Sequence, residues 1–373
     1  MNTTLDIYYR LDWEDIDFNT VWNLENSNFT DERGLFCYST VELENLREAT
    51  KAFDRYAVPA ICGLGFVGGI VSFLIFVATP FRYLPCSHYL ALLAVVDMMF
   101  LTTQVVNSLV NHFPSLAWAT GSCFYVVYTS YVSSFLSAWF LVLMMMERYV
   151  IVCHPFKYSY LCSKRTSIIS ISLTTIVSLI AYSHSFFTLD ISNKKSPCVT
   201  DPNYIEFLSI FTYADTVVVF VVPFFTIFFL NLRILTAVRK LKKHFDLQNR
   251  RLGRVPRLLN RTDVLSLAQM RSTTLLIWVS SVYIVFYLPS YGVRILALIN
   301  THITGPRLCE PFFHVMQQLS QILHLLNYAI DIFIYLTTSD VFRKILKVYL
   351  NESRCKGCFK KLCAYSLETK HYK

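Results

Sequence analysis

Apolar residues gather into seven stretches, roughly 57–79, 86–110, 121–152, 166–188, 204–236, 267–299 and 309–336, each bounded by polar or charged residues. A helix needs about 20 residues to cross a hydrocarbon core, and each stretch is long enough. The pattern predicts an all-α fold, a bundle of seven transmembrane helices. The fourth stretch, "TSIISISLTTIVSLIAYSHSFF", is rich in serine and threonine, whose hydroxyls can bond to carbonyls of the preceding turn and leave a helix intact.

Beyond the seventh stretch the period changes meaning. In "SDVFRKILKVYL", Val341, Phe342, Ile345, Leu346 and Tyr349 fall on one face, and Arg343, Lys344 and Lys347 on the other. This predicts a short amphipathic helix lying on the inner membrane surface against lipid. The chain thus divides into an extracellular acidic leader, 1–55, read as largely disordered, a seven-helix domain, 56–337, and an amphipathic helix with a cytoplasmic tail, 338–373.

Charge sets the orientation. Residues 1–55 hold twelve acids and five bases, whereas residues 233–271, from the end of the fifth stretch into the start of the sixth, hold eleven Arg/Lys and two acids. The tail is basic too. Positive charge marks the cytoplasmic side, so the N-terminus lies outside and the tail inside. Basic stretches can also bind nucleic acid, but these are separated by long apolar runs, and no nucleic-acid partner is expected. The leader "DIYYRLDWEDIDF" reads either as a soluble extension or as an attractor for a cationic peptide. It lacks the apolar core of a cleavable signal.

Composition agrees. The chain is 54% hydrophobic and 16% charged, against roughly 25% charged in soluble domains. Two glycosylation triplets, at Asn2 and Asn28, fall in the predicted exterior. Cys37, Cys123, Cys198 and Cys309 are also predicted outside, an even number in an oxidising compartment. Cys123 and Cys198 are expected to pair; Cys37 and Cys309 then either pair or remain free thiols. Cys355, Cys358 and Cys363 follow the amphipathic helix and suit palmitoylation. Cys355 and Cys358 also have the spacing of half a zinc site, but no second Cys/His pair completes it.

The third stretch ends in "MMMERYVIVCHPFKY", an acid beside an arginine at the inner end of an apolar helix. Here the chain resembles a rhodopsin-like (class A) G-protein-coupled receptor, whose third helix ends in a D/E-R-Y motif matched by Glu147, Arg148 and Tyr149. Asp97 in "LALLAVVD" stands where that family keeps a buried acid, and Cys123 and Cys198 match its outer disulfide. Pro223 and Pro289 match its helix-five and helix-six prolines, and "DIFIY" occupies the N-P-x-x-Y place, keeping Tyr335. Within the family, "ERYVIVCHPFKYSYLCSKR" is most similar to invertebrate neuropeptide receptors of the FMRFamide type. The resemblance implies a switch made by Glu147, Arg148, Tyr149 and Tyr335, facing a heterotrimeric G protein.

The departures are as specific. Gly69 stands where helix one has Asn, Tyr287 replaces the helix-six Trp, Asn231 the helix-five Tyr, and Ile332 the helix-seven Pro. Helix four has no Trp. Gln269 sits where some members carry an acid that bonds the arginine.

Asn327, Asp331 and Tyr335 are spaced i, i+4, i+8 and share one helix face. The resemblance places Asp97 and Ser137 opposite. Two carboxylates this close cannot both stay ionised without a cation, so either they share a proton or a sodium ion sits among Asp97, Ser137 and Asp331. No other cofactor is implied. In the outer half the resemblance brings Asn107, Ser130, Tyr131, Asp215, Tyr287, Arg294, Gln317 and Gln321 toward a cavity suited to a peptide. Asp215 and Arg294 either meet opposite charges of that ligand or pair with each other.

The expectation is a multi-pass plasma-membrane receptor for an extracellular neuropeptide, coupled to a G protein, and not an enzyme. The competing expectation is a transporter or proton channel using Asp97 and Asp331, since buried acids also serve that purpose.

Overall fold

Hydrocarbon offers a backbone no hydrogen-bond partners, so each apolar stretch must satisfy its own as a helix. The computed structural model describes residues 40–78, 85–112, 122–154, 163–190, 199–200, 202–251, 261–299 and 310–352. The first span is Thr40–Ala78, the second Pro85–His112, the third Ser122–Cys153 and the fourth Lys164–Ala181. The fifth runs through Ile205–Thr216 and Val222–Arg251, the sixth is Arg261–Ile299, and the seventh comprises Glu310–Ala329 and Asp331–Thr338. Asp340–Glu352 follows as the amphipathic surface helix. Outside the helices, β1 (Leu189–Asp190) pairs antiparallel with β2 (Val199–Thr200), with Leu189 opposite Thr200.

Among the described residues six helices are long and apolar enough to cross a membrane, and the bent seventh pair, taken as one, makes a further span. The third packs on the second, fourth, fifth and sixth, while the seventh closes the ring against the first, second and sixth. The first helix begins at Thr40, well outside its apolar window of Arg55–Val77. Its outer portion, "VELENLREATKAF", is built mainly from strong helix formers.

The fourth span behaves as its hydroxyls suggest. Ser163 caps it by accepting from the Thr166 amide at 3.2 Å. Thr174 and Thr175 donate to the carbonyls of Ser170 and Ile171, at 2.8 and 2.9 Å. Its Ile169, Leu173, Ile176 and Ile180 are exposed, as suits a lipid-facing helix.

The fifth span contains a π-helical turn over residues 217–221, just before Pro223. Proline has no N–H for the carbonyl four residues back, which is Val219. The Tyr283 hydroxyl of the sixth span donates to that carbonyl at 3.4 Å.

The seventh span bends by 54° at Ile330, although Ile332 stands where the family keeps its proline. At the bend the Ile330 carbonyl accepts from Phe333 at 2.9 Å, an i+3 bond, as well as from Ile334 at 3.2 Å. Asp331 opens the second half, with its carboxyl at the positive end of a helix. The first span receives the bend through Gly65, where a Cβ would lie 2.8 Å from Ala329 Cα, while a Cβ on Gly69 would meet the second span, 2.5 Å from Met98 Cγ.

Candidate functional site

At mid-depth, the polar residues expected to meet do so. Ser137 donates to Asp97 Oδ1 at 3.2 Å, and Tyr335 donates to Asp331 Oδ2 at 3.3 Å. The Asp97 and Asp331 carboxyls stand close enough to influence each other, so a shared proton or a cation must offset their repulsion. Asn327 is buried beside this group on the seventh span. The donor set is all oxygen, the chemistry that hard cations take.

Toward the inner face, Glu147 and Arg148 are both buried at the end of the third span. Tyr149 follows, with its hydroxyl 3.4 Å from His154 Nε2. Tyr335 is 1% exposed and lies edge-on to Phe76 of the first span, with ring centroids 5.3 Å apart. Phe342 of the surface helix packs on the same ring at 5.4 Å. The surface helix is capped by Ser339, whose Oγ accepts from the Phe342 amide at 3.2 Å. Arg343 pairs with Asp340 and donates to the Leu336 carbonyl at 3.2 Å, tying the helix back to the seventh span. Asn231 accepts from Ser280 at 3.0 Å, joining the fifth and sixth spans where the family uses a tyrosine on the fifth.

The outer half holds a second network. Asp215 and Arg294 pair with each other, Nη1 to Oδ2 at 3.2 Å, so of the two roles left open by sequence the internal pairing is realised. Asp215 Oδ1 also accepts from Tyr182 at 2.6 Å. Tyr182 stacks on Tyr131 with ring centroids 5.4 Å apart, and the Arg294 guanidinium sits 5.7 Å over Tyr291. Tyr291 in turn stacks on Tyr287, centroids 5.7 Å apart.

Beneath these rings, Tyr287 is fully buried and its hydroxyl bonds that of Tyr328 at 2.5 Å, which lies 3.2 Å from Ser134 Oγ. Three spans are joined by this hydroxyl chain at the position where the family carries tryptophan. His324 sits edge-on to Tyr287 and Tyr328 at 4.7 and 5.3 Å. Its Nε2 and the Oε1 of Gln317 are buried with no hydrogen-bond partner among the described residues.

Tyr131, Asp215, Tyr287 and Arg294 are therefore brought together, with Gln317 on the same face of the seventh span as His324. Ser130 enters only through its carbonyl, which accepts from Ser133. Asn107 and Gln321 are exposed, and no described hydrogen bond links them to the network. Sequence reasoning missed Tyr182, His324 and Tyr328. For the last two a signal existed: 324, 328, 331 and 335 repeat at helical spacing and form one stripe. Asn2, Asn28, Cys37, Cys198, Cys309, Cys355, Cys358 and Cys363 lie outside the described residues, as does the Cys123 side chain.

The family of "7 transmembrane receptor (rhodopsin family)" matches residues 69–335, from the glycine seat of the first span to the tyrosine of the bent seventh. The chain belongs to this family. It is thus a multi-pass membrane receptor and not an enzyme, and the transporter reading gains no support. The receptor is similar to the thyrotropin-releasing hormone receptor of Mus musculus, 31% identical over 155 residues, which cover 39% of this chain and 38% of the relative. The corresponding receptor of Gallus gallus is 36% identical over 107 residues, covering 28% and 26%. Olfactory receptor 7A42 of Mus musculus is 27% identical over 121 residues, covering 32% and 38%. The matched part of the receptor spans about a quarter to two-fifths of the length of these relatives.

Proposed function

We propose that the receptor stands in the plasma membrane, binds a short extracellular peptide and passes the signal to a heterotrimeric G protein. The observation that carries this reading is the outer network of Tyr131, Tyr182, Asp215, Tyr291 and Arg294, which sets a buried ion pair among aromatic rings. Such a site suits a ligand rich in backbone amides and is costly for an apolar odorant or lipid, which would leave the buried Gln317 Oε1 and His324 Nε2 unmatched. The hormone-receptor relatives support a soluble messenger. The narrower likeness to FMRFamide-type receptors rests on the inner loop after Arg148 and contributes only a choice of test peptides.

Ligand binding shifts the bundle between two packings. Glu147, Arg148, Tyr149 and Tyr335 form the inner switch, and the basic segment after the fifth span and the surface helix complete the surface offered to the G protein. A sodium ion would be held by Asp97, Ser137 and Asp331, where it would supply the positive charge that lets both carboxyls ionise.

The test is expression of the full chain in cells, a panel of short synthetic peptides, amidated and free, and a G-protein activation readout. Activation by at least one peptide, absent from untransfected cells, is the expected result. A complete lack of response from a chain shown to reach the cell surface would overturn the reading.

A further inference from the structure

We infer that the first helix pairs with the first helix of a second copy of this chain, along a seam that runs from the water outside into the membrane. This association between receptors goes beyond the ligand reading and does not depend on it.

The first helix runs unbroken from Thr40 to Ala78, through Pro59, whereas its apolar window begins at Arg55. At about 1.5 Å per residue, the part before Arg55 stands roughly 22 Å beyond the span. On that outer part Leu46, Ala49, Phe53 and Tyr56 recur at alternating steps of three and four. The alternation continues without a slip through Ala60, Gly63, Val67, Ile70, Leu74 and Val77. Such steps are a heptad repeat, which keeps one seam of a helix turned toward a partner helix. The stripe lies on the side away from the bundle. Tyr56 is 72% exposed and Val67 61%, and a Cβ on Gly63 would meet nothing within 4 Å. Cys62, Ser72, Ile75 and Phe76 are buried on the other side, where the helix packs on the second and seventh spans.

The two sides answer the change of solvent differently. Glu44, Arg47, Glu48, Lys51, Asp54 and Arg55 all fall at the heptad positions that Ser72, Ile75 and Phe76 hold lower down. That side turns from apolar to charged as it leaves the bilayer. The stripe stays apolar and uncharged where no lipid is present to cover it, and apolar surface left in water is unfavourable.

A soluble peptide would cover only the outer part of the stripe, and lipid only the inner part. A partner apolar at both depths in one register is a membrane-crossing helix that continues as a helix outside, and this chain supplies one. All copies insert with the same orientation. Two such helices therefore meet in parallel, each residue against its own counterpart across a two-fold axis. Asn45, Thr50 and Ala52, which flank the outer stripe, carry no charge, so identical faces do not repel. Ala60 and Gly63 let the backbones approach where the seam enters the bilayer, as small residues do between membrane helices.

The experiment expresses the full chain in cells with single cysteines on the outer part of the helix. Intact cells are treated with a membrane-impermeant oxidising catalyst before non-reducing electrophoresis. Leu46→Cys and Phe53→Cys lie on the seam, and Arg47→Cys and Lys51→Cys lie off it. The seam variants are expected to give a band of twice the chain's mass, about fivefold stronger than that of the off-seam variants and the parent chain. Energy transfer between two differently tagged copies, at fixed surface density, should fall about twofold when Leu46→Glu and Phe53→Glu are combined. Equal cross-linking on and off the seam overturns the inference, as does a seam-specific band whose mass shows a different protein. Unchanged energy transfer in a double variant that reaches the surface overturns it too. If the double variant is retained inside the cell, the cysteine pattern alone decides. Neither arm uses a ligand, so failure of the peptide reading and failure of this inference are read separately.

Discussion

Gly68 of the first span and Ile332 of the seventh approach so closely that a Cβ on the glycine would lie 2.6 Å from Ile332 Cγ2. Ile332 holds the family's proline position, so the bend that proline would impose by chain geometry is here received by a gap in the neighbouring helix.

Gly68→Ala is accordingly expected to cost about 1–3 kcal/mol, the usual range for overpacking a tight contact. It should lower the melting temperature of the detergent-solubilised receptor. Gly63→Ala, where an added Cβ meets nothing within 4 Å, serves as the neutral comparison. Equal melting of the two variants would remove the glycine seat from the account.

Arg294→Ala leaves Asp215 buried with its charge unbalanced, and breaking a buried pair from one side costs about 3–5 kcal/mol. Surface expression should fall. Adding Asp215→Asn to the same chain should restore expression while the response to activating peptides stays weak. Recovery of both together would assign the pair a purely structural role.

Tyr283→Phe strips the Val219 carbonyl of its side-chain donor and should destabilise the receptor by about 1–3 kcal/mol, the cost of an unsatisfied buried acceptor. Because the ring is retained, packing changes little, and thermal unfolding of purified protein reads the hydroxyl alone.

Agonist affinity measured from low to high sodium tests the mid-depth acids. A cation between Asp97 and Asp331 predicts a sodium-dependent affinity in the wild type that disappears in Asp331→Asn. A flat response in both chains leaves the shared proton as the whole explanation.

Sequence carried the lengths of the spans, because hydrophobic span length is set by the solvent and not by neighbours. It also carried the Asp331–Tyr335 and Asp97–Ser137 contacts, the first from helical spacing and the second from family position. The bend at Ile330 was not legible, since its support comes from glycines some 265 residues earlier in the chain. Tyr182 was missed because it lies just past the α-helical part of the fourth span, in a 3-10 turn that breaks the helical period. Asp215 and Arg294 were both named, but whether they face each other or a ligand depends on side-chain packing, which spacing does not encode.

The π turn before Pro223 has a mechanical consequence. A main-chain acceptor of the fifth span is served by a side chain of the sixth, so that hydrogen bond belongs to neither helix alone. No water at this depth stands ready to replace it. Sliding one span along the other would strand the carbonyl, whereas rotation about that point would not. The two helices are keyed together at the bulge, and any rotation of one against the other has its pivot there.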